Sequence, residues 1–154
     1  MGVPPGARRG CGARRGAERR RGGPLALVTN SRDPTVPNQA VSKTVVGQLE
    51  GRTCVLIDDM IDTGGTISGA VQVLKNAGAK DVIIAATHAV FSEPAAQRLS
   101  ESGAREVVVT NTLPLTANQQ FPQLTVLSIA PLIARAIREV FDDGSVTSLF
   151  DGNA

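Results

Sequence analysis

Apolar residues recur in this chain as short runs separated by amphipathic stretches, and the alternation starts only after residue 23. Leu25–Thr29 reads as a strand, and the polar stretch Asn30–Lys43, with two prolines, as a loop or arm. Thr53–Ile57 is the second predicted strand. Thr66–Asn76 then has helical spacing and is stopped by Gly78. Val82–Thr87 predicts a strand, Glu93–Ser100 a helix ending before Gly103, and Glu106–Thr110 and Leu124–Ser128 two further strands. Pro131–Val140 closes the series as a helix with proline near its first turn. Strands rich in β-branched residues that alternate with helices predict an α/β fold, a mostly parallel sheet flanked by helices. Ligand loops of such a sheet lie beyond the carboxyl ends of its strands.

One such strand end carries chemistry. In VLIDDMIDTGGTI, residues 55–67, an apolar run ends in Asp58 and Asp59, and Asp62-Thr63-Gly64-Gly65-Thr66 leads into a helix. A tight loop at a helix N-terminus aims backbone N–H groups at one spot, where the helix dipole favours negative charge. Gly64 and Gly65 let a bound group approach the backbone closely, and Thr63 and Thr66 add hydroxyl donors. The natural guest is a phosphate monoester, with Asp58 and Asp59 about a sugar length away to accept hydroxyl hydrogen bonds. The plainer reading is a strand end with Asp62 or Thr63 as helix cap. Neither a Walker loop nor GxGxxG is present.

Composition narrows the class. The 154 residues suffice for one domain, and they are 42% apolar but only 3% aromatic, so the core must come from Val, Ile, Leu and Ala. Seven arginines against Glu18 give the first 23 residues +6, so with a chain total of +2 the remainder carries −4. That remainder gives no reason to expect nucleic-acid binding. Residues 1–23 are low-complexity Gly, Arg, Pro and Ala, read as disordered or as mistranslated sequence, and residues 24–154 as the folded domain. Cys11 and Cys54 have no metal-ligand spacing, and a reduced, cytoplasmic setting without a membrane span is expected.

Two acids followed by Asp-Thr-Gly-Gly-Thr resemble the ribose-phosphate loop of the type I phosphoribosyltransferase fold. RDPTVPNQAV from Arg32, ATHAVFSEPAAQRL from Ala86, VVVTNTLPL from Val107, LSIAPLIARAI from Leu127 and SVTSLF from Ser145 narrow the resemblance. It points to ribose-phosphate pyrophosphokinase, also called phosphoribosyl pyrophosphate synthetase, in its bacterial, actinobacterial-like form, over about residues 24–152. The chain is similar to the second, C-terminal, of two like halves.

The resemblance implies transfer of the diphosphoryl group of MgATP to O1 of ribose 5-phosphate, with release of AMP. Asp62, Thr63, Gly64, Gly65 and Thr66 would hold the 5-phosphate, while Asp58 and Asp59 face the ribose hydroxyls. Asp62 is expected to shape the loop by bonding its backbone N–H groups rather than to touch the phosphate. Arg32 matches the arginine of the family's catalytic arm, and Asn30 stands where that arm has a lysine. Ser145 and Thr147 match a strand that helps form a regulatory phosphate site between subunits; an ordinary edge strand fits the same residues.

The resemblance also implies Mg²⁺, whose protein ligands are not found in this chain, ATP bound only with the missing half, and a hexameric homo-oligomer. His88 reads as a structural histidine. The expected function is therefore a ribose 5-phosphate-binding half, inactive alone. The alternatives are a non-catalytic regulatory partner of complete synthetase subunits and a phosphoribosyltransferase.

Overall fold

The computed structural model describes residues 27–31, 42–46 and 49–150. The Arg/Gly tract and Arg32 lie outside the described residues. Two strands, β1 (Leu27–Ser31) and β2 (Ser42–Val46), form an antiparallel ribbon in which Asn30 stands opposite Lys43. The expected first strand is thus shifted toward the carboxyl end. The expected loop Asn30–Lys43 gives residues to both strands, and β2 is an element that its sequence pattern did not announce.

A second sheet holds β3 (Thr53–Ile61), β4 (Asp81–Ala89), β5 (Glu106–Thr110) and β6 (Leu124–Leu127), all parallel, in the order β3-β4-β5-β6. Helix α1 (Gly65–Asn76) joins β3 to β4, α2 (Ala95–Glu101) joins β4 to β5, and α3 (Ala130–Phe141) follows β6. Each was anticipated to within a few residues.

Burial alternates along the central strands, as side chains of period two require. Val82, Ile84 and Ala86 of β4 are buried, and so are Val107 and Val109 of β5, whose register pairs Ile84 with Val107. They form one core with Ile67, Val71 and Leu74 of α1 and with Ala95 and Leu99 of α2. The opposite face, through Ile83, Ala85 and Val108, is half-buried. Strand order explains the asymmetry. Crossovers of one hand, stepping always in the same direction across a sheet, set their helices on one face.

The tail corrects the sequence reading. Val146–Phe150, expected as an edge strand, is a short 3-10 helix. Among the described residues no helix is long and apolar enough to cross a membrane.

Candidate functional site at the end of strand β3

Strand β3 was expected to stop at Ile57, but it continues through both acids to Ile61. The ladder is irregular there. Asp58 pairs with Ala86 and Met60 with His88, and Asp59 has no pair in the register. The Asp59 N–H donates to the Asp58 Oδ1 at 3.0 Å, and the Met60 N–H to the Asp59 Oδ1 at 2.9 Å. Across this point the phase of burial changes. Ala86 faces the core before it; Ile61 and Ala89 do so after it. The two carboxylates therefore organise the strand end through their own backbone.

That task had been assigned to Asp62. Its side chain is exposed and makes no hydrogen bond with a described residue, so the expected bracing of the loop by Asp62 is not found. Asp58 and Asp59 are exposed at the same end. A carboxylate offers about four acceptor positions, so the local bond leaves Asp59 capacity for a ligand hydroxyl.

Beyond Ile61 the chain turns into α1. Gly64 is the residue before the helix and takes φ 73°, the left-handed region that a Cβ would strain. The first helical bond runs from the Ser68 N–H to the Gly64 carbonyl at 2.9 Å. The N–H groups before Ser68 thus have no helical acceptor and gather at the positive end of the dipole. Thr63, Gly65 and Thr66 are exposed there, whereas Gly64 is buried. N–H groups without a helical acceptor at the positive end of a helix dipole make a geometry receptive to an anion.

The segment after β4 braces this loop at three points: Ile61, Gly64, and Thr63 together with Ser68. The Ile61 carbonyl accepts from the N–H groups of Val90 and Phe91 at 3.0 and 3.1 Å. Phe91, buried, holds φ 48°, a left-handed backbone costly for a bulky residue. Gly64 lies against α2: a Cβ there would sit 3.5 Å from both the Ala95 carbonyl oxygen and Leu99 Cγ. Arg98 donates from a guanidinium nitrogen to the Thr63 carbonyl at 3.1 Å, while its own carbonyl accepts from the Ser68 hydroxyl at 3.2 Å. Arg98 and Ser68 were missed in the sequence. On a predicted helix surface Arg98 has the pattern of a solvated arginine, and no local signal separates it from Arg135.

His88 shares a 2.9 Å hydrogen bond with the Thr112 hydroxyl, next to the Thr110 hydroxyl that donates to the Thr87 carbonyl at 2.6 Å. It is half-buried and tied into the strand ends, in keeping with a structural role. Ser145 and Thr147 are exposed, their hydroxyls bonded to each other at 2.5 Å. The 3-10 turn brings the pair together where an edge strand had been expected. Among the described residues no group of three His, Cys, Asp or Glu side chains is placed to hold a metal ion.

Fold and site together define an α/β domain with an anion-receptive helix N-terminus at the carboxyl end of a parallel strand, next to two acids. The model of the phosphoribosyl synthetase-associated domain matches residues 14–151, and the chain belongs to that family. The match begins inside the Arg/Gly tract, before the boundary expected at residue 24. The chain is 70% identical over 133 residues to the ribose-phosphate pyrophosphokinase of Mycobacterium bovis, covering 86% of this chain and 41% of that protein. Against the enzyme of that name from Streptomyces coelicolor it is 59% identical over 130 residues, covering 84% and 40%. The crystal structure of phosphoribosylpyrophosphate synthetase from Mycobacterium smegmatis superposes with a TM-score of 0.73 at 60% identity, over 83% of this chain and 40% of that one. The chain thus spans about two fifths of the length of these relatives.

Proposed function

We propose that this chain is the ribose 5-phosphate-binding, C-terminal half of a ribose-phosphate diphosphokinase, inactive by itself. The observation that carries the reading is the Gly64-led start of α1 directly beyond Asp58 and Asp59. The N–H groups of the Asp62–Thr66 loop take the 5-phosphate, and carboxylate oxygens of Asp58 and Asp59 take ribose hydroxyls. Charge-assisted hydrogen bonds of this kind contribute roughly 1.5–3 kcal/mol each.

In the complete reaction O1 of the sugar attacks the β-phosphorus of ATP and AMP leaves. The work of the loop is to hold O1 in line, since positioning supplies much of the rate in phosphoryl transfer. ATP, Mg²⁺ and a hexameric homo-oligomer are assigned to the complete synthetase, and the cytoplasm to its setting. Arg32 is assigned to the catalytic arm, and Ser145 with Thr147 to a regulatory phosphate site.

A second reading, a non-catalytic regulatory partner of complete subunits, is favoured by Asn30, which carries no charge where the family arm has a lysine. A phosphoribosyltransferase is the weaker third reading.

Calorimetry of ribose 5-phosphate with the purified chain tests the proposal. Saturable binding is expected, and Gly65→Val should weaken it by crowding the loop. A Gly65→Val protein with unchanged affinity would remove the loop from the site. No AMP release dependent on ribose 5-phosphate is expected from the chain alone; turnover near ordinary enzyme rates, about 1–1000 per second, would overturn its inactivity.

A further inference from the structure

We infer that Arg98 is a positioning residue for the phosphate loop, acting through the Thr63–Gly64 peptide group; the inference rests on the ribose 5-phosphate reading above. The Thr63 carbonyl and the Gly64 N–H belong to one planar peptide. A guanidinium bonded to that carbonyl at 3.1 Å fixes the plane and draws electron density toward the oxygen. The N–H on its other side becomes a stronger donor, in the way that chained hydrogen bonds polarise one another. That N–H precedes Ser68, the first donor of the helical ladder, and so has no helical acceptor.

The backbone that carries the guanidinium is itself held in place. The Arg98 carbonyl accepts from the Ser68 hydroxyl on the first turns of α1. Leu99, the next residue, is buried in the core and lies beside Gly64. The same nitrogen of Arg98 is 3.6 Å from where a Gly65 Cβ would stand, so the positive charge is at the loop and not merely on the helix that supports it. Arginine suits this place because its planar fork is pre-organised for hydrogen bonding.

Ribose 5-phosphate affinity of the Arg98→Gln and Arg98→Lys chains, with Arg135→Gln as control, tests the role together with the amide spectrum of each ligand-free protein. Arg98→Gln should weaken binding roughly two- to fivefold, since polarisation through the peptide changes a charge-assisted hydrogen bond by about 10–30%, and flatten its dependence on salt. The melting temperature should stay close to that of the unmodified chain, and Arg98→Lys should recover part of the affinity. In the ligand-free protein the Gly64 and Gly65 amide signals should move in Arg98→Gln and stay in place in Arg135→Gln.

Equal affinity in Arg98→Gln, or a loss matched by a large fall in melting temperature without recovery by lysine, overturns the inference and leaves the function proposal standing. Should the unmodified chain bind no sugar phosphate, the function proposal falls, and unmoved amide signals would dispose of the positioning role separately.

Discussion

Helices α1 and α3 are each 12 residues long, each is amphipathic, and each ends with a basic residue in its last turn, yet they meet different surroundings. The apolar side of α1 is buried through Ile67, Ala70, Val71 and Leu74 against the covered face of the sheet. No residue of α3 is buried; Ile133, Ile137 and Val140 are exposed, and Phe141 is 82% exposed. A hydrophobic stripe therefore predicts that a helix forms and which side seeks cover, and says nothing about whether this chain supplies the cover. Sequential crossovers place α1 and α2 on one face, where the core is complete. The loop that ends in Gly64 is braced from that completed side. Among the described residues most of the exposed large apolar side chains lie on and after β6, although Val55, Met60, Val90 and Leu113 are exposed before it.

The contrast is sharpest in stability. Leu74→Ala, at a position 3% exposed, should cost about 2–5 kcal/mol, because a cavity is added to the lost transfer free energy. Ile137→Ala, at a position 52% exposed, should stay within about 0.5 kcal/mol. Urea denaturation of both variants measures the difference. Equal losses would mean that the α3 face is covered in solution, and a dependence of the Ile137→Ala loss on protein concentration would show that another copy covers it.

A smaller effect separates two adjacent glycines. Gly64→Ala should destabilise by about 1–2 kcal/mol, since φ 73° is left-handed. Gly65→Ala should be close to neutral: it opens the helix at ordinary φ, and its Cβ would meet only Arg98 at 3.6 Å. Thermal melting distinguishes them. A neutral Gly64→Ala would show that the turn relaxes and is less firmly braced than its contacts with Ala95 and Leu99 imply.

The smallest effect concerns Cys54, on the side of β3 that packs toward the core. Partial burial raises its thiol pKa by desolvation. The folded thiol then holds its proton at a pH where the unfolded thiol has lost it. Its contribution to stability is complete below the ordinary thiol pKa and is lost as pH rises through the raised value. Alkylation should be slower for the folded chain than for the chain in denaturant at the same mildly alkaline pH. Equal rates would place Cys54 outside the packed side.

Much of the fold was legible in residue order. Glu106–Thr110 was bounded correctly, and the helices at Thr66, Glu93 and Pro131 were located to within two residues. Strand β2 was missed because Ser42–Val46 carries too few apolar residues to stand out beside a proline-containing stretch. The strand end at Ile57 was misplaced for a physical reason. Two adjacent aspartates look like the start of a loop, but their carboxylates bond the next backbone N–H groups and let the strand continue with its burial phase changed.

The sequence by itself determined the local conformations and the chemistry available to them: an apolar strand, a glycine where the backbone must turn left-handed, donors at a helix start, and acids one strand end away. Those follow from neighbouring residues, because sterics, caps and periodicity act over a few positions. Only the tertiary structure decided that Arg98, 35 residues from Thr63, donates to its carbonyl, that Phe91 pins Ile61, and that α1 is covered while α3 is not. Each of these depends on the order in which parallel strands stack and on the face their crossovers choose, and no local pattern encodes either.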